Sequence, residues 1–241
     1  ANIRCVTLAN NHALDYTEAG LLEMIDYLDR AEIAHAGAGA DLIAAETPAM
    51  IDVGGLRIGV ISFTDDHPAF SAATGHPGVN YLEIESAAAT LARLDEWIAI
   101  ARRGGAQIIL LSPHWGPNMR EHPTAEFIDF AHAAIERGVD LFIGHSAHVF
   151  QGIEVYRDRL ICYDAGDALD DYALDDVLRN DWSFIFLFDI NAAGAGIERV
   201  RLIPLQLRYA ETHLAEGESS GLICQRMLEG SLALGTAFET T

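Results

Sequence analysis

Five residues in three short segments have the types and placement to hold a metal ion and help break a bond beside it. Asn11 and His12 lie in Leu8-Ala-Asn-Asn-His12, His114 lies in Ser112-Pro-His-Trp-Gly116, and His145 and His148 lie in Gly144-His-Ser-Ala-His148. Neutral imidazole is the commonest metal ligand, and an asparagine oxygen beside it suits a harder divalent cation. The Gly144–His148 loop carries two imidazoles on one tight turn, where they could serve one metal or two neighbouring ones. A lone histidine is more often structural than a ligand. Several candidates, each just past an apolar run, reverse that expectation.

Those apolar runs are Ile3–Leu8, Ile108–Leu111 and Asp140–Ile143, and each reads as a β-strand. In an α/β sheet, ligand sites form beyond the carboxyl ends of the strands, so segments distant in sequence converge there. Asn11, His12, His114, His145 and His148 are therefore expected at one end of one sheet. Around them, Thr17 is placed to cap a helix running to about Ala31, with Leu21, Leu22, Ile25 and Leu28 on one face. Pro48–Val53 and Leu56–Phe63 flank Gly54-Gly55, a two-residue hairpin signal. Helices are predicted over Ala87–Arg103, over Pro123–Arg137 with proline in the first turn, and over Gly221–Leu234. Two more hairpins are predicted, Gly152–Tyr156 with Leu160–Asp164 around Arg157-Asp-Arg159, and Trp182–Ile190 with Ile197–Leu207 around Asn191–Gly196. A β-α-β beginning and an antiparallel end predict a mixed sheet, or two sheets, sandwiched by helices. No repeat, low-complexity segment or linker divides the 241 residues, so one domain over 1–241 is expected.

The chain carries 36 acidic residues against 15 basic, a formal charge of −21, and every one of those basic residues is arginine. Such a field repels nucleic acid and anionic membrane surfaces. Although 50% of the residues are hydrophobic, no apolar run approaches the roughly 18–20 residues of a membrane span, and no leader pattern opens the sequence. That combination predicts a cytoplasmic chain. Cys5, Cys162 and Cys224 form no metal pair or disulfide framework; Cys5 and Cys162 sit in apolar runs and read as small buried hydrophobes. His35, His67, His76, His122 and His213 read as surface residues, with His67 beside Asp65 and Asp66 able to approach the site, and His132 reads as a packing residue of its helix. There is no GxSxG elbow, P-loop or GxGxxG.

At these loops the sequence resembles the CapA capsule-biosynthesis (poly-γ-glutamate) proteins of the calcineurin-like metallophosphoesterase superfamily. The matching stretches are Leu8–Tyr16, Ala36–Gly39, Ser112–Gly116, Phe130–His132, Gly144–Tyr156 and Tyr163–Asp167, in order along nearly the whole chain. The resemblance implies an α/β fold built as a four-layer α/β/β/α sandwich, with a site for two divalent metal ions (Mn, Zn, Fe or Mg). It implies that Asn11, His114, His145 and His148 ligate metal, while His12 acts as general acid or hydrogen-bonds a phosphoryl oxygen and Asp15 orients it. The implied activity is metal-dependent hydrolysis of a phosphoester or related bond in capsule or poly-γ-glutamate biosynthesis, with the capsule polymer, a phosphoester or a small molecule as partner. The alternative is a non-catalytic capsule-assembly component that binds polymer or partner proteins.

Two departures from the family's pattern matter. The family opens with a strand ending in Gly-Asp and an Asn-Leu-Glu segment, whereas only nine residues, none acidic, precede Asn10 here. The expectation is a C-terminal portion, without its first strands and two carboxylate ligands, of a longer protein that could be envelope-associated. A sheet edge left open in that way would invite pairing with a second copy. The second departure is Asp167, which stands where many members carry asparagine.

Overall fold

Alternation along one strand explains how the layers stack. Ile58 and Val60 point to one face of their strand, Ile61 and Phe63 to the other, and all four are buried. A strand buried on both faces reads as a continuous apolar run and belongs inside a largely parallel sheet. The computed structural model describes residues 2–84, 87–191 and 196–239. In chain order the elements are β1 (Cys5–Thr7), α1 (Thr17–Arg30), β2 (Ala34–Ala36), β3 (Ala38–Gly39), α2 (Leu42–Glu46), β4 (Ala49–Val53) and β5 (Leu56–Thr64). They continue with β6 (Gly78–Val79), α3 (Ala87–Arg103), β7 (Ile108–His114), α4 (Ala125–Glu136), β8 (Leu141–Ile143), β9 (Ile153–Tyr156) and β10 (Arg159–Cys162). The last are β11 (Trp182–Asn191), β12 (Gly196–Arg208), β13 (Glu211–Leu214) and α5 (Gly217–Ala233).

The central sheet has the order β4-β5-β7-β8-β10-β9, with β5, β7, β8 and β10 parallel and an antiparallel strand at each edge. On one face, Ile61, Phe63, Ile109 and Leu111 pack against Leu94, Trp97 and Ile98 of α3 and Phe130 and Ala134 of α4. On the other, Ile58, Val60 and Ile108 meet Cys5, Ala34 and Ala36 of the two-stranded β1-β2 sheet. Farther along, Leu141, Leu160 and Cys162 meet Trp182 and Phe184 of β11 and Ile223 and Met227 of α5. Leu21, Ile25 and Leu28 of α1 close the outside with Leu8, Ala38 and Val79. The result is the four-layer α/β/β/α order.

The structure corrects several local expectations. Thr17 does not cap α1: it is the first helical residue, with φ of 69°, and Tyr16 precedes it without a side-chain cap. The succession of tight turns from Asn10 to Thr17, closed by Ala13 N–Asn10 O, Asp15 N–His12 O and Thr17 N–Leu14 O bonds, brings Thr17 in left-handed. Pro123 lies outside α4, because Thr124 takes the cap and its Oγ1 accepts from Phe127 N at 3.5 Å. The β9–β10 turn is Arg157-Asp158 alone, with φ of 50° and 60°, and Arg159 already pairs with Tyr156. Both positive φ values are what a type I′ hairpin demands. The last helix starts at Gly217, ahead of Gly221. Of the Asn191–Gly196 turn, residues 192–195 lie outside the described residues, and β11 and β12 run to its two ends. Among the described residues, no helix is long and apolar enough to cross a membrane.

Candidate metal and catalytic site

β7 and β8 are parallel neighbours, and their ends carry the first two candidates into contact. His145 N donates to Pro113 O at 3.0 Å and Trp115 N donates to His145 O at 2.9 Å, extending the ladder past the strands. The two rings meet edge-on, 5.1 Å between centroids, with Nδ1 of His114 and Nδ1 of His145 3.1 Å apart. Burial pushes His114 down to about 4 and His145 down to about 3, the latter lowered further by His114. Both imidazoles are therefore neutral near pH 7, the form that ligates metal. Two nitrogens each about 2.0–2.1 Å from one cation stand about 3 Å from each other, so the spacing and chemistry of this pair fit a shared ion. His145 Nε2 is buried and has no hydrogen-bond partner among the described residues.

The Gly144–His148 loop is held in a conformation the chain would otherwise avoid. Ser146 and His148 have φ of 127° and 59°, costly for non-glycine residues unless the surroundings impose it. Asp164, buried just past β10, imposes it by accepting from Ala147 N and Gly166 N, each at 2.8 Å. Gly144 N donates to Cys162 O, Ala165 N to Gly144 O, and Met119 N to Ala147 O. Burial raises Asp164 to about 7 against the opposing pull of its two N–H donors. Gly144 is glycine for a specific reason. A Cβ there would lie 2.1 Å from Tyr163 O and 2.3 Å from Trp115 Nε1, the two atoms of a buried 2.9 Å hydrogen bond. At the loop's end His148 Nδ1 is 3.0 Å from both carboxylate oxygens of Asp167, which raises its pKa, and Tyr172 meets the ring edge-on at 4.9 Å.

The Asn11–His12 loop follows β1. His12 N donates to Asn10 Oδ1 at 2.9 Å, and His12 Nδ1 donates to Asp15 Oδ2 at 2.8 Å, leaving Nε2 for proton exchange. Both side chains are about half exposed. His148, His12 and His67 all lie close enough to His114 to add to the lowering of its pKa, while Asp66 opposes them. Asp65 accepts from Gly116 N at 3.2 Å, and burial raises it to about 6.

His12, His67 and His148 thus lie within electrostatic reach of His114, with differences from the expected arrangement. Asn11 and His12 arrive from the separate β1-β2 sheet rather than from the sheet of His114 and His145, because β1 pairs only with β2 among the described residues. His114 and His145 touch. His12 and His148 are each engaged at Nδ1 by an aspartate, and among the described residues no three His, Cys, Asp or Glu side chains converge to hold an ion. The residues present therefore fit part of a ligand set. Asp65, Asp164, Trp115 and Gly144 carry roles the sequence reading did not assign. An aspartate closing an apolar strand, as in Cys162-Tyr-Asp164, was the available signal for Asp164. His132 packs as expected, stacked on Tyr156 at 3.7 Å, and also engages both oxygens of Glu154 at 2.9 Å.

The profile of the family described as "Bacterial capsule synthesis protein PGA_cap" matches residues 1–172. A "Probable polyglutamine synthesis accessory protein" of Mycobacterium tuberculosis is 31% identical over 208 residues, covering 83% of this chain and 54% of that protein. The "Capsule biosynthesis protein CapA" of Bacillus anthracis is 27% identical over 172 residues, covering 71% of this chain and 41% of that one. The chain thus spans about half the length of the curated relatives it matches. Among solved structures, the 5'-nucleotidase precursor of Thermus thermophilus aligns with 96% of this chain and 43% of its own, at 16% identity and a TM-score of 0.44.

Proposed function

This chain belongs to the bacterial capsule synthesis protein PGA_cap family, and we propose that it supplies the histidine part of a metal-dependent hydrolytic site acting in capsule or poly-γ-glutamate biosynthesis. The observation that carries the reading is the pair of neutral imidazoles, His114 and His145, with Nδ1 atoms 3.1 Å apart. In this reading Asn11, His114, His145 and His148 hold divalent cations, whose chemistry is to activate water and stabilise an oxyanion. In its doubly protonated form His12 gives the Nε2 proton to the leaving group and is left as neutral imidazole, while Asp15 fixes its orientation by accepting a hydrogen bond from Nδ1–H. Asp164 sets the loop before any ligand arrives, so little ordering remains for binding to provide. The bond cleaved is a phosphoester or related linkage. A polyanionic polymer would be repelled by a chain of formal charge −21, so its capture requires bound cations or a local arginine patch.

One observation favours the second reading, a non-catalytic capsule-assembly component: no three ligating side chains converge among the described residues. Equilibrium dialysis against Mn²⁺ and Zn²⁺, with hydrolysis of bis-p-nitrophenyl phosphate, separates the two. The hydrolase reading expects metal uptake and turnover, both lost in His145→Ala. Absence of uptake and turnover would give the assembly reading the lead.

A further inference from the structure

His148 is constrained from three directions. Its backbone is left-handed, with φ of 59°. Tyr172 covers one edge of the ring. Both oxygens of Asp167 stand 3.0 Å from Nδ1. The segment that carries Asp167 is pressed onto the segment that carries His148, since a Cβ on Gly166 would lie 3.2 Å from Phe150 N, and Gly166 itself has φ of 69°. Only 21% and 20% of the His148 and Asp167 side chains are exposed, so this is not a solvated surface pair.

A carboxylate can only accept at this contact, so Nδ1 must carry the proton. In neutral imidazole that leaves Nε2 as the nitrogen with a lone pair, and Nε2 forms no hydrogen bond among the described residues. We propose that Asp167 is a positioning residue: it locks His148 as the Nδ1–H tautomer and presents Nε2 as a cation ligand, an inference that rests on the metal-site reading above. Carboxylate partners of this kind fix the ring and raise ligand basicity, and removing one typically weakens metal binding about 10–100-fold. Asparagine at the same place would keep an acceptor for Nδ1–H and lose the charge. The aspartate of this chain therefore acts on affinity beyond orientation.

The test uses the chain as it stands, with Asp167→Ala and Asp167→Asn, and Zn²⁺ and Mn²⁺ as probes. Nitrogen-15 NMR of the metal-free protein at alkaline pH, with His148→Ala to assign the resonance, reads the tautomer directly, and calorimetry reads metal affinity. The expected result is an Nδ1–H tautomer in the parent and in Asp167→Asn, and a mixture in Asp167→Ala. Metal affinity should fall about 10–100-fold in Asp167→Ala and by less in Asp167→Asn. A parent in the Nε2–H form, or an Asp167→Ala that binds metal as the parent does, overturns the positioning role while leaving the metal site standing. A parent that takes up neither ion overturns the metal-site reading, and this role with it.

Discussion

Replacing Gly144 by alanine adds one methyl group where two strands and an indole ring leave no room for it. The new Cβ would lie 2.1 Å from Tyr163 O and 2.3 Å from Trp115 Nε1. Neither is the free end of a flexible side chain: one is backbone and the other belongs to a ring packed among Phe127, Phe142 and Tyr163. Relief requires β8 to move from β10 or Trp115 to withdraw, and either breaks the 2.9 Å indole–carbonyl bond. Overpacking costs about 1–3 kcal/mol, and a buried donor or acceptor left without its partner costs about 1–3 kcal/mol more. A loss of about 2–6 kcal/mol follows, a large share of the roughly 5–15 kcal/mol that stabilises a typical domain. At roughly 2–4 °C per kcal/mol for a chain of this size, thermal unfolding followed by circular dichroism should show Tm lower by at least about 4 °C. Gly221→Ala is the control, since nothing lies within 4 Å of its Cβ and helix α5 gains about 1 kcal/mol in propensity. A Gly144→Ala protein as stable as its parent would refute the packing account of this loop.

Thr17→Gly should raise stability by about 1–2 kcal/mol in the same assay, because a β-branched residue at φ 69° is strained and glycine is not; a lower Tm would show that the threonine side chain compensates. His12→Ala, in a form of the protein that turns over, should lower kcat by about 10²–10⁴-fold while bound metal by plasma emission stays constant; loss of the metal would make His12 a ligand instead. Burial raises Asp65 from 3.8 to about 6, so its contribution to stability is fully present below 3.8 and is lost as pH rises through about 6. Asp65→Asn should flatten that part of the stability–pH curve, by at most about 3 kcal/mol, and an unchanged slope in urea titrations at each pH would rule the group out.

Much of this fold was legible because its signals are local. Gly54-Gly55 between two apolar runs gave the β4–β5 hairpin, and Leu91, Leu94 and Ile98 gave the span of α3 with its ends in place. The turn at Arg157-Asp158 was read one residue too long, since nothing in Arg159 itself tells a turn residue from the first residue of a strand. Sheet membership was not legible at all for β1: three apolar residues pair equally well with any exposed edge, and only the tertiary fit assigns them to β2. At the site, histidine types and their place after strands were readable. What was not readable is the set of groups that hold them. Asp164 acts through backbone N–H groups, Gly144 through the absence of a side chain, and Trp115 through a carbonyl on another strand.

His114 and His145 are the paired cation ligands on which the proposed site depends. Crystals of the chain soaked in Zn²⁺ or Mn²⁺, with anomalous data at the metal edge, address this directly. The expected result is an ion about 2.0–2.1 Å from a ring nitrogen of each histidine. Saturating metal with no ion between the two rings, and their Nδ1 atoms still in direct contact at 3.1 Å, would contradict it.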